Sequence, residues 1–365
     1  MNEDKLASAR KEIEEIDREI AQLYLRRLEA VKPIAAYKKE HGLPVFDGKR
    51  EDELIKRNLG FISSAGGAES ESYVCFQKSV MELSKRYQSR LNGGMRVAYS
   101  GIEGAFACIA AGNIFPGAEL MACADFSDAY GSVVSGKADS AVLPFENSSA
   151  GEVGQVWDLL FSGDLYVSGM YDETVEHDLL ILPGAKQSDV REVVSHPQAL
   201  SQCSEYIRAH GYRTREFVNT AKAAEFVAAT GDRSLAAIAS RPAAARYGLE
   251  IAAEGINENS NNTTRFAALS RVRTPHSPKC GSDGRFLLMF TVRNEAGALA
   301  RAVDVIGRYG FNMHSLRSRP MKQLMWQYYF CAEAEGCIDS DNGRAMLEVL
   351  ALSCDRLKLV GSYLR

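Results

Sequence analysis

The chain has no CxxC pair and no His/Cys cluster at ligand spacing. Its eight cysteines, at 75, 108, 123, 203, 280, 331, 337 and 354, are scattered, mostly in apolar contexts. That excludes a disulfide scaffold or zinc framework and predicts reduced thiols in a cytoplasmic protein. GxGxxG and P-loop motifs are also missing, so a nicotinamide or ATP enzyme would lack its usual phosphate cradle. No apolar run reaches membrane-spanning length, and Met1 to Glu15 is charged from the start, so neither a membrane span nor a signal peptide is predicted. Basic residues form no tract and the net charge is -4, which argues against a nucleic-acid partner.

What is present suffices for two or three domains: 365 residues, 46% hydrophobic. Leu6, Ala9, Ile13, Ile16, Ile20 and Leu23 recur three and four apart, and the register continues through Ala30, Ile34 and Tyr37. This is a heptad seam on one long helix that needs a partner helix. Arg27 falls on the seam phase where an apolar residue is due, and Arg10 and Lys38 share the neighbouring phase. One such cation snorkels to solvent at little cost, whereas three along an apolar stripe predict an anion pocket. Pro33 predicts a kink. After a turn at Gly42-Leu43-Pro44, Asp47, Arg50 and Glu51 open a second helix. A Ser63–Glu71 linker precedes a third, about Ser72 to Leu91, whose Ser84 and Gln88 share a face.

In order and spacing, Arg10, Arg27, Lys38, Asp47, Arg50, Glu51, Ser84 and Gln88 resemble the active-site set of the all-helical chorismate mutases. The resemblance implies an all-α three-helix unit, residues 1–92, that interlocks with a second chain as an intertwined dimer. It implies a pericyclic rearrangement of chorismate to prephenate, which needs only a folded substrate and charge stabilised at the breaking ether bond. Arg10 from the other chain and Arg27 would hold the two carboxylates. Lys38 and Gln88 would donate to the ether oxygen, Glu51 would bind the ring hydroxyl, and Asp47, Arg50 and Ser84 would complete the shell. Pro33 is not part of the family pattern.

Gly93-Gly94 reads as a hinge. Beyond it, short apolar strands alternate with helices. Strands are predicted at Val97–Tyr99, Ser140–Leu143, Leu179–Leu182, Glu192–Ser195, Leu235–Ala239 and Phe266–Leu269. Helices are predicted at Ser127–Ser135, Val153–Phe161, Pro197–Ala209, Ala221–Ala229 and Pro242–Tyr247. The alternation predicts open α/β sheets in two lobes with a cleft at the strand ends. Five polar clusters fall at those ends: Gly101–Phe106, Pro144–Ser149, Ser195–Gln198 with Gln202, Asn219-Thr220, and Asn261–Phe266. One such cluster alone reads as ordinary helix capping, which by itself would account for Ser148 or Thr220. Five together suggest one small polar ligand.

These segments, residues 95–272, resemble prephenate dehydratase, whose signature is Thr264-Arg265-Phe266. The resemblance implies a two-lobed α/β unit like the periplasmic binding proteins. In it Thr264 assists departure of the ring hydroxyl of prephenate as carbon dioxide leaves, giving phenylpyruvate. A Thr hydroxyl is a weak acid, so it would act through a hydrogen-bonded relay. Asn147, Ser148, Ser195, Gln202, Thr220 and Phe266 would contact substrate, and Arg265 either anchors a carboxylate or locks the loop. His196, at a strand end before Pro197, reads as a hydrogen-bonded structural histidine. Gly104-Ala105-Phe106-Ala107 departs from the family, which often has Ser or Thr and Tyr there.

Arg273 to Asp283 reads as a linker. Residues 284–365 then run strand Phe286–Arg293, helix Ala298–Tyr309, strands Met313–Arg319 and Trp326–Ala334, helix Asn342–Cys354 and strand Leu357–Tyr363, the ferredoxin-like βαββαβ order. Gly297, Ala298, Leu299, Asn312 and Ser318 resemble the effector positions of an ACT domain. That implies phenylalanine as feedback effector, held between paired domains with its carboxylate at a helix N-terminus. Arg317 stands where the family motif has Glu.

The combined expectation is a multidomain α/β chain, a homodimer or dimer of dimers, acting on chorismate and then prephenate. No metal or organic cofactor is implied, because neither reaction needs redox or group transfer. The rivals are a dehydratase that prefers arogenate and a non-catalytic two-lobed binding protein with a sensor domain.

Overall fold

The computed structural model describes residues 3–41, 45–64, 70–259, 261–273, 283–321 and 327–364. The predicted Gly42–Pro44 turn, linker residues 65–69 and 274–282, Cys280 and Trp326 lie outside them. By its contacts the chain divides into two compact units, Met1–Arg96 with Ser135–Asp139, and Val97–Val134 with Ser140–Arg365.

The first unit is built on helices α1 (Glu3–Glu40), α2 (Gly48–Ser64) and α3 (Ser70–Leu91). α1 runs unbroken through Pro33. Its apolar seam is left open: Leu6, Ile13, Ile16, Ile20, Leu23, Ile34 and Tyr37 are each between 36% and 57% exposed. The residues of α1 that do bury are Val31 and Ala35. They stand with Arg27 and Lys38 on an i, i+4, i+8, i+11 stripe, which meets the seam at Arg27. Arg27 therefore belongs to the stripe that meets α3, where its Nε donates to Ser84 Oγ at 2.9 Å. Its guanidinium points into the bundle, as the seam position of Arg27 predicts.

The second unit begins with β1 (Arg96–Ser100), α4 (Phe106–Ile114), β2 (Glu119–Cys123), α5 (Phe126–Val134), β3 (Ser140–Asn147), β4 (Gly151–Glu152), α6 (Gly154–Ser162) and β5 (Tyr166–Thr174). The chain then crosses to a second sheet: β6 (Asp178–Ile181), β7 (Glu192–Ser195), α7 (Pro197–Gln202), α8 (Ser204–Ala209), β8 (Arg213–Glu216), α9 (Thr220–Thr230), β9 (Leu235–Ala239), α10 (Arg241–Tyr247) and β10 (Glu250–Ala253). The helix predicted over 197–209 is divided at Cys203, whose φ and ψ of -115° and 18° are not helical. β11 (Thr263–Ser270) returns to the first sheet between β3 and β5. Ala141 to Leu143 and Ala267 to Leu269 bury nearly completely, as near-continuous apolar runs do when both faces of a sheet are covered.

The C-terminal part contains β12 (Gly284–Thr291), α11 (Ala298–Arg308), β13 (Asn312–Pro320), β14 (Tyr328–Glu335), α12 (Asp341–Ser353) and β15 (Arg356–Leu364). Strand order β13-β14-β12-β15 completes the split βαββαβ fold. Its sheet does not end at β15, because Gly361 pairs in parallel with Val167 of β5 and one ten-stranded sheet results. That join needs glycine. A Cβ at Gly361 would lie 2.1 Å from Val167 O, a backbone atom with nowhere to move. Gly361→Ala is expected to destabilise the second unit by about 1–3 kcal/mol, the cost of overpacking. A thermal melt checks this, and an unshifted transition would mean that the two strands part freely.

Candidate functional sites

The first unit encloses a cavity of about 270 Å³. Its wall includes seven of the eight residues singled out in the helical part: Arg27, Lys38, Asp47, Arg50, Glu51, Ser84 and Gln88. α1 supplies the first two on its buried stripe, and α3 supplies Ser84 and Gln88 one turn apart. Ser84 is spent as a strut, accepting from Arg27 Nε and donating to Val80 O at 3.0 Å. Asp47 precedes α2, and its carboxylate accepts from Arg50 N at 3.1 Å, which leaves it partly a helix cap. Lys38 Nζ donates to Val45 O at 2.5 Å, and burial holds its pKa below the ordinary lysine value despite Asp47 and Glu51 nearby. Gln88 Oε1 is buried without a protein partner among the described residues.

Arg10 is the absentee. Seventeen residues before Arg27 on one continuous helix, it lies about 25 Å away along the axis and cannot reach this cavity in its own chain. Lys85 was not foreseen. It is 5% exposed, lines the cavity, pairs with Glu51 at 3.0 Å and Glu82 at 3.2 Å, and sits 4.9 Å from the Phe46 ring centre. Its only signal in the sequence was its place on α3 between Ser84 and Gln88.

The second cavity, about 320 Å³, lies between the two sheets of the second unit. All five polar clusters reach it, through Ala105 and Phe106, Pro144 and Asn147, His196 with Gln198 and Gln202, Asn219 and Thr220, and Thr264 and Phe266. Among the described residues, none that lines it is Asp, Glu, Lys or Arg. Four helices instead begin at its wall: Ala105, Val153, His196 and Asn219 are the N-caps of α4, α6, α7 and α9. An anion here meets neutral donors and helix N-termini.

Asn147 sets the polarity of the site. Its Oδ1 accepts from Ser149 N and Ala150 N, each at 3.0 Å, so its amide nitrogen is the donor on the other side. Nδ2 donates to Thr264 Oγ1 at 2.9 Å and to Asn262 Oδ1 at 3.0 Å. Thr264 is therefore an acceptor toward Asn147, and its own proton has no protein acceptor among the described residues. It is available to the cavity. Behind Asn147, Asn262 Nδ2 donates to Gln202 Oε1 at 3.0 Å, which also meets His177 Nε2 at 3.0 Å. Since Gln202 Oε1 can only accept, the His177 proton is on Nε2, and buried Nδ1 has no protein partner among the described residues. Carboxamides do not titrate near neutral pH, so this chain orients the Thr264 hydroxyl and does not ferry protons to it.

Three expected contacts are corrected. Ser195 is fully buried and donates to Ile238 O at 2.6 Å, joining β7 to β9 away from the cavity. Ser148 is exposed and turns its hydroxyl to Asn261 O and Thr263 N, closing the loop between β3 and β11. Arg265 points to the opposite face of β11, as strand alternation requires, and pairs with Glu333 at 3.0 Å and Asp172 at 3.2 Å. Its guanidinium is thus engaged by carboxylates of β5 and β14 and does not line the cavity. His196 accepts from Gln198 N at 3.2 Å as the N-cap of α7 and also lines the cavity.

In the C-terminal part the five effector positions do not converge within one chain. Leu299 alone lines the cavity of about 540 Å³ there. Gly297 starts α11 at φ 79°, Ala298 is buried, Asn312 donates to Glu335 at 3.3 Å, and Ser318 lies on β13.

Comparisons with known proteins assign a family to each of the two parts that hold these cavities. The family model described as chorismate mutase type II matches residues 9–89, and that for prephenate dehydratase matches 97–274. A bifunctional chorismate mutase/prephenate dehydratase of Aquifex aeolicus is 30% identical over 99% of this chain and 98% of its own length. Arogenate dehydratase 1 of Petunia hybrida is 39% identical over 62% of this chain, which spans 53% of that relative. The solved prephenate dehydratase of Arthrobacter aurescens in complex with L-Phe matches at TM-score 0.68 and 25% identity, over 74% of this chain and 90% of that one. Fold and sites thus define a two-site enzyme with a helical mutase domain and an α/β dehydratase domain. The chain belongs to the bifunctional chorismate mutase/prephenate dehydratase family.

Burial holds His177 and His196 below the ordinary imidazole pKa, with Gln202 opposing it for the first and Glu216 for the second. Both are neutral in the folded state near pH 7. As pH falls below about 6.5 the unfolded chain binds protons that the folded one refuses, so stability is full above that value and is lost on acidification through the folded pKa. His177→Asn should flatten this slope by up to one proton, about 1.4 kcal/mol per pH unit. Urea midpoints at roughly pH 7.5 and 5.5 measure it, and an unchanged slope in the variant would contradict the assignment.

Proposed function

We propose that the helical cavity converts chorismate to prephenate and the α/β cavity converts prephenate to phenylpyruvate, carbon dioxide and water, within units 1–92, 95–272 and 284–365. In the first, Arg27 grips one carboxylate and the Arg10 of a second copy reaches the other. Lys38 and Gln88 serve the ether oxygen, and Glu51 the ring hydroxyl. The open seam on α1 supports an intertwined dimer, since seven exposed apolar side chains on one helix need a cover. Asp47, Arg50 and Ser84 complete the shell, and Lys85 holds Glu51 in place.

For the dehydratase, the carrying observation is the directed hydrogen bond from Asn147 to Thr264. A hydroxyl that already accepts a bond is more polarised as a donor. Facing the cavity, Thr264 hydrogen-bonds the ring hydroxyl, which leaves as hydroxide and takes a proton from solvent to become water, while the electron pair of the breaking carbon–carboxylate bond enters the ring and that carboxylate leaves as carbon dioxide; aromatisation drives both. Phe266 and Phe106 wall out water. The two substrate carboxylates rest on the helix N-termini and on Thr220, Gln198 and Gln202. The absence of any acidic side chain from this wall favours a keto acid over arogenate, whose ammonium would find no counter-charge. The C-terminal part is read as an ACT domain answering to phenylalanine. Its βαββαβ topology and the L-Phe complex of the Arthrobacter relative support this.

Two substitutions separate the activities. Arg27→Ala should lower chorismate turnover by about 10²-fold or more and spare prephenate turnover, the scale of one lost charge-stabilising donor. Thr264→Val should lower carbon dioxide release from prephenate by about 10²-fold and spare the mutase, with Thr264→Ser recovering most of it. Steady-state assays on each substrate, arogenate included, read both. Prephenate bound but never decarboxylated by the wild-type chain would leave a binding protein instead, and strong preference for arogenate would replace the substrate.

A further inference from the structure

β3 and β11 place their residues in register: Thr264 opposite Asn147, and Arg265 opposite Glu146. The first pair faces the cavity and makes the 2.9 Å bond that polarises Thr264. The second pair, one residue away on each strand, faces the other side and is gripped by the C-terminal part. Arg317 of β13 pairs with Glu146 and stands 3.7 Å from Glu152. Glu333 of β14 pairs with Arg265 at 3.0 Å and accepts from Tyr363. Each reacting-side residue thus has a covalent neighbour held by a charged side chain from β13 or β14.

A second contact reaches the same wall. α6 starts at Val153 on the cavity and is clamped lengthwise by the C-terminal part. Arg319 holds Asp158 through two bonds of 2.7 and 3.0 Å, and Tyr329 adds a third at 2.9 Å. Lys358 and Arg356 donate to the carbonyls of Leu160 and Phe161 at its far end. The start of α6 is also fixed to β3, where Trp157 Nε1 and Val153 N both donate to Phe145 O at 3.0 Å. Phe145 lies at the register shift that lets Pro144 and Asn147 both face the cavity.

Resting on the dehydratase reading above, we infer that Glu146 and Arg265, held by Arg317 and Glu333, are positioning residues that set the Asn147–Thr264 bond from the reverse face of the sheet. Strands transmit a sideways pull on one residue to its neighbours, and a misplacement of an ångström in a reacting group is costly in rate. The C-terminal part thereby bears on turnover through these two ion pairs, none of whose members lines the cavity.

The test is a double-mutant cycle on the full chain with Arg317→Ala, Glu146→Gln and both together, reading kcat and KM for prephenate. Chorismate turnover and a thermal melt serve as references, and Arg308→Ala, which breaks an exposed pair with Asp304 on α11, is the control for simple loss of charge. Expected is a fall in dehydratase kcat of about 10-fold in either single variant, with KM within about twofold. The double variant should be no worse than the worse single one, and Arg317→Lys should keep most of the rate. Wild-type kcat in both single variants, losses that multiply in the double, or a loss carried by KM alone would overturn the inference. Wild-type turnover of prephenate is measured first and tests the dehydratase reading by itself.

Discussion

Along a β-strand, neighbouring side chains leave on opposite faces, and β11 is organised around that constraint. Thr264 and Phe266 enter the cavity, while Arg265 between them is delivered to the reverse side and into the ion pairs of β14 and β5. β3 repeats the arrangement with Asn147 and Glu146. A three-residue signature thus splits its work: two side chains define the reacting wall and the guanidinium fastens the strand that carries them. Placing the cation outside also keeps the cavity free of fixed charge, so that helix N-termini and amide donors define how an anion can lie in it.

The two cavities solve the same problem with opposite means. Both are proposed to take a ring that carries two carboxylates, and in the helical unit that charge meets guanidinium and ammonium groups held by their own partners, Arg27 by Ser84 and Lys85 by Glu51 and Glu82. A pericyclic step asks for a folded substrate and stabilised charge, which fixed cations provide. The α/β cavity is lined by neutral donors instead. Loss of carbon dioxide removes one of the two negative charges, so strong cations there would stabilise the starting carboxylate more than the transition state and slow the reaction. Dispersed partial charge holds the dianion without that penalty.

Much of this was legible because the chemistry demanded particular residues at particular spacings. The run Asn261–Phe266, the Ser84–Gln88 pair and the α3-facing cations each carry a geometric requirement that survives without coordinates. What was hidden depended on facing direction or on partners far along the chain. Ser195 and Ser148 resemble site residues in composition, yet one faces a neighbouring strand and the other closes a loop. His177 and Asn262 gain their role only when β6 and β11 are brought beside α7. β5, central in the large sheet, reads Tyr-Val-Ser-Gly-Met-Tyr-Asp-Glu-Thr and lacks a clean alternation, because its exposure varies with what covers each face. The seam on α1 and the inward turn of Arg27 were legible, whereas Val31 and Ala35, which continue the buried side from Arg27, were not read.

Arg317 is the most instructive departure. In sequence it reverses a charge at a position of the ACT-like motif, which by itself suggests a weakened effector site. In the fold it faces Glu146 and Glu152, two carboxylates next to the reacting wall, so the reversal completes a charge pair across two parts of the same unit. A salt bridge half open to water adds little to stability. Its value is directional: a guanidinium paired with Glu146 and 3.7 Å from Glu152 ties β13 to the strand that carries Asn147. The same guanidinium that looked like a lost effector contact is therefore spent inside the unit, on the two carboxylates beside Asn147.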